Sequence, residues 1–270
     1  MIHKATIHKD FDRGKHMNLE NAVALVTGSS SGVGAATVKL LAAKGCRVVV
    51  NYSSSVQAAQ DVAAECEKSG AEVLLCQADV SKDGDCRRLV DETMRKWGRL
   101  DALVNNAGTT KFVNHRDLSG LDKQDFLEIY AVNVVGPYQM TRAAEAPLRE
   151  SGDAAIVNIA SIAGIKGVGS SIAYAASKGA LITMTRSLAR VLGPEIRVNT
   201  ICPGFIEGKW LEQGIGPERY RQARDMAAQR APLGKTCTAE SVAESIQFFV
   251  EGASIVTGET LILDGGSNLN

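Results

Sequence analysis

The chain has 270 residues, 45% of them hydrophobic and 22% charged, which is enough for one globular domain with a sizeable core. Lysine plus arginine and aspartate plus glutamate both number 30, and zero net charge argues against nucleic acid or an anionic membrane surface as partner. No apolar run nears the roughly 20 residues that span a bilayer and no secretory signal opens the sequence, so a cytoplasmic protein without membrane attachment is expected.

Residues 1–20 are polar and aperiodic and carry three of the four histidines, His3, His8 and His16. They read as a disordered extension or an expression leader, with His16-Met17 placed like a cloning junction before a natural start. One catalytic domain is expected over 21–270. Six cysteines (Cys46, Cys66, Cys76, Cys86, Cys202, Cys237) lack C-x-x-C spacing and read as packing thiols, so no metal site is expected.

From residue 22 the apolar pattern alternates between short Val- and Ile-rich runs and longer stretches of helical period. Strands are expected at 22–27, 47–52, 72–77, 102–105, 155–159, 197–201 and 260–263. Helices are expected at 33–44, 56–69, 83–97, 126–148, 173–192 and 239–250. Runs such as VALVT, RVVVNY and AIVNI are apolar nearly throughout, as in a parallel sheet covered by helices on both faces. The fold class is therefore an α/β doubly wound parallel sheet of about seven strands. No repeat or linker follows residue 20, so the substrate must bind on this same domain. In such sheets ligands lie beyond the carboxyl ends of the strands, and the residues there carry the chemistry.

After the first strand stands Thr27-Gly28-Ser29-Ser30-Ser31-Gly32-Val33-Gly34, with a helical pattern following. Glycines here allow a tight turn and close approach to a pyrophosphate, whose charge meets the N–H groups of the helix start. An ordinary strand-to-helix turn would also fit, but its place after the first strand of an alternating chain favours a dinucleotide cradle. Asn51 closes the second strand, where NAD-preferring enzymes carry a carboxylate for the ribose. With no carboxylate there, and with Tyr52, Ser53, Ser54 and Ser55 following, NADP(H) is favoured and NAD(H) is admitted.

Tyr174 and Lys178 stand four residues apart in a helical stretch and share a face, where the ammonium is expected to lower the phenol pKa. Ser161, just past the fifth strand, supplies a hydroxyl for the same substrate oxygen. An exposed Tyr–Lys surface pair is the bland alternative.

With Asp79-Val80 after the third strand and Asn105-Asn106-Ala107-Gly108 after the fourth, the set resembles the short-chain dehydrogenase/reductase family over about residues 19–266. The T-G-x-x-x-G-x-G loop and the N-N-A-G segment carry that resemblance. It implies a Rossmann-type fold and a cofactor site of Gly28, Ser30, Ser31, Gly32, Val33, Gly34, Asn51, Tyr52, Ser53, Asp79, Val80, Asn106, Ala107 and Gly108. Tyr174, Lys178, Pro203, Gly204 and Ile206 complete that site. It further implies Ser161 as the group polarising a carbonyl, Tyr174 as acid, Lys178 on the nicotinamide ribose, and Asn133 holding a water of a proton relay. A helix-interior Asn bonded to backbone is the lesser alternative for Asn133.

The expected activity is interconversion of a ketone and a secondary alcohol by hydride transfer, in the manner of 3-oxoacyl-carrier reductases, with a sugar or polyol dehydrogenase as alternative. A homotetramer is implied by the resemblance alone. A nucleotide-sugar epimerase and a non-catalytic dinucleotide sensor are the rivals. The first usually carries an added C-terminal substrate region, and the second would show damage at Ser161, Tyr174 or Lys178. Residues 205–237 form the longest irregular stretch and are expected as a substrate lid, with Trp210 and Tyr220 among Lys209, Arg219, Arg221, Arg224, Arg230 and Lys235. These cations would suit an acidic carrier or a carboxylate, or simply face solvent. Gly164, Gly167 and Gly169 are expected to leave room above the nicotinamide, with Ile165 and Val168 as apolar wall.

Overall fold

A computed structural model describes residues 17–269. The expectations for residues 1–16, including the three early histidines, lie outside the described residues. Those for 17–20 need correction: Met17 and Leu19 are buried in the core, and Met17 N–H donates to the Glu251 carbonyl at 2.9 Å. Both side chains are apolar and find cover, so the folded domain extends at least to Met17.

Seven strands follow in chain order: β1 (Val23–Val26), β2 (Arg47–Tyr52), β3 (Val73–Gln77), β4 (Ala102–Asn105), β5 (Ala154–Ile159), β6 (Ile196–Pro203) and β7 (Thr260–Leu263). They form one parallel sheet ordered β3-β2-β1-β4-β5-β6-β7, whose strand order reverses between β1 and β4. Successive side chains of a strand face opposite ways. Ala24, Val26, Val48 and Val50 therefore enter one core layer while Val23, Leu25, Val49 and Leu103 enter the other. β1, β4, β5 and β6 are buried along their whole length, which explains their unbroken apolar character.

Helices α1 (Gly32–Ala43), α2 (Val56–Lys68) and α3 (Asp83–Trp97) match the expected spans closely. The helix expected over 126–148 is three pieces: α4 (Lys123–Tyr130), a π turn at Ala131–Val135, and α5 (Gly136–Ser151). Pro137 has no N–H to close the four-residue ladder onto the Asn133 carbonyl, and the backbone widens there. A short α6 (Ala163–Lys166) precedes α7 (Ile172–Leu192). The stretch 205–237, expected to be irregular, contains α8 (Lys209–Ile215) and α9 (Pro217–Arg230), and α10 (Ala239–Glu251) leads to β7. Neither α8 nor α9 buries a residue fully, so these helices carry weak apolar periodicity and escape a pattern reading. Among the described residues no helix is long and apolar enough to cross a membrane.

Candidate active site

The loop between β1 and α1 is shaped by its contacts rather than by glycine content alone. Gly28 has φ +61°, and a Cβ on it would lie 2.9 Å from Ala107 Cα. A Cβ on Gly34 would lie 2.6 Å from both Asn106 Nδ2 and the Gly28 carbonyl oxygen, so α1 begins hard against the loop it follows. Asn106 Nδ2 donates to the Thr27 and Gly28 carbonyls at 2.9 and 3.1 Å, and the Thr27 hydroxyl accepts from the N–H groups of Asn106 and Ala107, each at 3.0 Å. The N-N-A-G segment and the glycine loop thus form one hydrogen-bonded body at the strand-order reversal. Ser30, Ser31 and Gly32 keep exposed or half-exposed positions where α1 starts, Val33 is half-buried, and a Cβ on Gly32 would meet only open space. The N–H groups at the start of α1 are thus left open, an arrangement suited to a pyrophosphate.

Asn51 corrects the reasoning from strand ends. It is 1% exposed; its Oδ1 accepts from Gly28 N–H at 3.0 Å, and its Nδ2 donates to the Ala78 and Cys76 carbonyls at 3.1 and 3.3 Å. The side chain ties the glycine loop to the end of β3 and does not reach outward toward a ribose. Tyr52 is half-buried and Ser53 exposed, so the first free side chains beyond β2 are the serines. Ser53 and Ser54 line a cleft of about 480 Å³ together with Asp79, Lys82 and Arg88. Burial raises the Asp79 carboxyl, but the Ser81 hydroxyl and N–H bound to it hold it below the usual carboxylate range. Val80 is buried and touches the start of α5, where a Cβ on Gly136 would lie 2.9 Å from it.

Tyr174 and Lys178 occupy the first two turns of α7. Ser171 caps that helix, its hydroxyl accepting from Tyr174 N–H at 3.2 Å. Lys178 is buried and donates to the Ile159 carbonyl, at the end of β5, at 2.7 Å; its Nζ lies 5.6 Å from the Tyr174 ring centre. Gly164 is pressed onto α7, where a Cβ would lie 2.5 Å from Lys178 C and Gly179 N, so it sets helix approach rather than leaving space. Ile165 and Val168 are exposed.

The expected lowering of the phenol by Lys178 does not appear. Burial pushes Tyr174 up to about 12, countered in part by the Ser161 hydroxyl beside it and reinforced by Cys202. Burial pushes Lys178 down to about 8. Burial outweighs every other influence on either group, because both are removed from water together. Cys202, last but one in β6, stays a thiol: burial pushes it up to about 11, opposed by Ser161 and Lys178.

Asn133 is fully buried in the π turn. Its Oδ1 accepts from Thr109 N–H at 2.8 Å, and its Nδ2 donates to the Thr109 carbonyl and the Ser177 hydroxyl at 2.9 and 3.0 Å. A Cβ on Gly108 would lie 3.4 Å from Asn133 Oδ1 and 3.5 Å from Lys178 Nζ, which places the end of the N-N-A-G segment beside both. On the far side, Gly204 packs against Asp264, where a Cβ would lie 2.8 Å away, and the Pro203 carbonyl accepts from Ile162 N–H at 3.0 Å. Ile206 forms an isolated bridge with Cys237 at the base of the lid.

Sequence pattern passed over Ser171 and Ser177, and it named Thr27 and Cys202 without these contacts. Only Ser171 carried a local signal, a serine three residues before Tyr174 at the head of an apolar helical run. The others matter through contacts that spacing does not encode. Among the described residues no group of three or more His, Cys, Asp or Glu side chains is placed to hold a metal.

Known proteins are similar to this chain over nearly its whole length. Residues 28–268 match the family model described as enoyl-(acyl carrier protein) reductase. Ketoacyl reductase 2 of a granaticin polyketide synthase from Streptomyces violaceoruber is 43% identical, with 93% of this chain and 97% of that one covered. A 3-oxoacyl-acyl-carrier-protein reductase of Thermotoga maritima is 35% identical, covering 93% and 99%. A solved short-chain dehydrogenase/reductase from Burkholderia xenovorans superposes with TM-score 0.86 at 40% identity, covering 93% of this chain and 99% of that one. The chain belongs to the short-chain dehydrogenase/reductase family. It is an oxidoreductase of the CH–OH and carbonyl class that works with a nicotinamide dinucleotide on a small-molecule substrate.

Proposed function

We propose that the chain reduces the ketone of a 3-oxoacyl thioester to a secondary alcohol, with Tyr174 as proton donor. The observation that carries this reading is the convergence of Ser161, Tyr174 and Lys178 at the carboxyl ends of β5 and β6, beside the N-N-A-G segment. A phenol raised to about 12 starts the reduction protonated at neutral pH, so Tyr174 is poised to give its proton to the carbonyl oxygen. Ser161 donates to the same oxygen and polarises the carbonyl. When bound, the nicotinamide supplies the hydride. Lys178 has one of its three donors on the Ile159 carbonyl and offers the others to the nicotinamide ribose. Asn133 braces Thr109 and Ser177 through its side chain, and in this reading it holds the water of a proton relay beside Lys178.

The cofactor cradle runs from Gly28 to Gly34 through Asp79, Val80 and the Asn106–Gly108 edge to Pro203, Gly204 and Ile206. NADP(H) is the preferred dinucleotide in this reading. The committed Asn51 places no carboxylate at the ribose, and Ser53, Ser54 and the Lys82 ammonium beside the cleft suit a 2′-phosphate. Cytoplasmic location and a homotetramer complete the proposal, the latter on family resemblance.

The test is NADPH and NADH oxidation with an acetoacetyl thioester, a crotonyl thioester and a sugar, using Tyr174→Phe as control. Turnover of the acetoacetyl compound alone, lost by roughly 10²–10⁴-fold in the variant while NADPH still binds, is the expected result. Unchanged turnover in Tyr174→Phe refutes the assignment, and turnover of the crotonyl compound or the sugar instead refutes the substrate class.

A further inference from the structure

The functional reading above leaves unused a set of aromatic rings on the segments that follow β4 and β6, both of which leave the sheet at the site. One arm is the loop following β4. It leaves Gly108 beside Asn133 and Lys178 and is fastened at Val113, whose N–H donates to the Ser170 carbonyl at 2.8 Å. The Thr110 and Ser170 hydroxyls pair at 2.7 Å. Gly169, next to Ser170, lies against the Tyr174 ring, where its Cβ would sit 3.7 Å from Cδ1. The other arm leaves Gly204 through Phe205 and rises into α8.

Rings join the two arms. Phe112 and Trp210 stand with centres 5.5 Å apart and planes tilted by 54°. Phe112 also lies on the bare backbone of Gly214, where a Cβ would come within 2.1 Å of the ring. Phe205 and Tyr220 form a second pair behind them, at 5.4 Å. Among the described residues no hydrogen bond links 109–113 to 208–216. The bracketing glycines of α8, Gly208 and Gly216, have φ +154° and +83° with open space around them, and Trp210 keeps 54% of its surface exposed. A roof closed only by ring contacts parts readily, and a flat ring entering it regains the stacking and edge contacts it displaces. A saturated chain gains no such exchange.

We propose that Phe112, Trp210 and the bare backbone of Gly214 form a ring-binding subsite that selects 3-oxoacyl thioesters ending in an aromatic ring over straight-chain ones. This rests on the ketone-reductase reading, and the experiment separates the two. Turnover of benzoylacetyl and acetoacetyl N-acetylcysteamine thioesters is compared in the wild type, Trp210→Ala and Gly214→Ala. The wild type is expected to favour the phenyl substrate in kcat/KM. Trp210→Ala should lower that value about tenfold for the phenyl substrate and less than twofold for the aliphatic one. Gly214→Ala, whose new methyl forces the Phe112 ring off its seat, should act in the same direction.

A second measurement does not depend on turnover. The chain has two tryptophans, and Trp97, at the end of α3, donates to Glu72 before β3, so Trp97→Phe leaves Trp210 as the sole indole. The unreactive 3-phenylpropanoyl thioester should change Trp210 fluorescence at a lower concentration than the butanoyl thioester. Equal preference for the two ketones, equal losses in Trp210→Ala, or identical fluorescence titrations overturns the subsite. If neither ketone is reduced, the functional reading fails, and the titration still decides whether rings bind.

Discussion

Replacing Asn51 by aspartate distinguishes a ribose contact from a structural tie. From strand ends alone, Asn51→Asp would be expected to turn the protein from NADPH toward NADH. The structure leads to a different outcome, because the side chain is 1% exposed and points its Nδ2 at the Ala78 and Cys76 carbonyls. Aspartate keeps the bond from Gly28 N–H but loses both donated bonds, worth ~1–3 kcal/mol together. A buried carboxylate facing two carbonyls also has its pKa raised. A rise of two units corresponds to ~2.7 kcal/mol at neutral pH. The expected loss of unfolding free energy is therefore ~4–6 kcal/mol at pH 8.

The sign of the pH dependence follows from linkage. With a folded pKa above the unfolded value of about 3.9, the native variant binds more protons than its unfolded chain, so its stability falls as pH rises through the folded pKa. At pH 5, where the acid is protonated and regains one donor, the deficit shrinks to ~2 kcal/mol. Urea unfolding of wild type and variant at pH 5 and pH 8, with fluorescence titration of both dinucleotides, measures this. Wild-type stability at pH 8 together with a selective gain for NADH would refute the reasoning.

Three further outcomes follow from the same geometry. Lys178→Met should abolish activity yet raise stability at pH 7 by about 1–2 kcal/mol, since holding Lys178 near 8 costs about 3 kcal/mol before the Ile159 bond is counted. The stability advantage of Lys178→Met over wild type should shrink as pH rises from about 8 toward 10.4, because Lys178 binds more protons in the unfolded chain across that window while the buried cysteine thiols, which titrate the other way, are common to both proteins; an advantage unchanged with pH would contradict this. Ser171→Ala should lose ~1 kcal/mol of stability by uncapping α7, and kcat should fall more than dinucleotide affinity because Tyr174 sits in that first turn; loss of affinity with unchanged kcat would contradict this. Gly34→Ala should weaken both dinucleotides and lower the urea midpoint, as its methyl meets Asn106 and Gly28, with ~1–3 kcal/mol of overpacking against ~1 kcal/mol gained in helix propensity; wild-type affinity would show that the loop yields.

The chain order of strands and helices was readable because it rests on local pattern. Continuous apolar runs mark strands buried on both faces, and β1, β4, β5 and β6 are buried in that way. The glycine loop and the Tyr174–Lys178 spacing were readable for a similar reason: a tight turn and a shared helix face are properties of a few adjacent residues. Pro137 stood in plain view as a ladder breaker, yet the π turn it accompanies depends on how α4 and α5 both pack, and the expected helix ran through it.

Other features were decided only by tertiary contacts. Asn51 is committed by partners 23 and 27 residues away, so its role changed from ligand contact to brace once β1, β2 and β3 were in place. The direction of the Tyr174 and Lys178 shifts depends on how much water β5, β6 and α7 together exclude, a quantity that helical spacing does not contain. The seat of Phe112 on Gly214 joins residues 102 positions apart through van der Waals contact, which leaves no periodic mark in sequence. Sequence by itself thus determined the order of the seven strands and of the main helices between them, the glycine loop and the Tyr174–Lys178 spacing, since each is encoded within a turn or two of chain. Burial, side-chain commitment and ring contact belong to the folded molecule because each arises where distant segments meet.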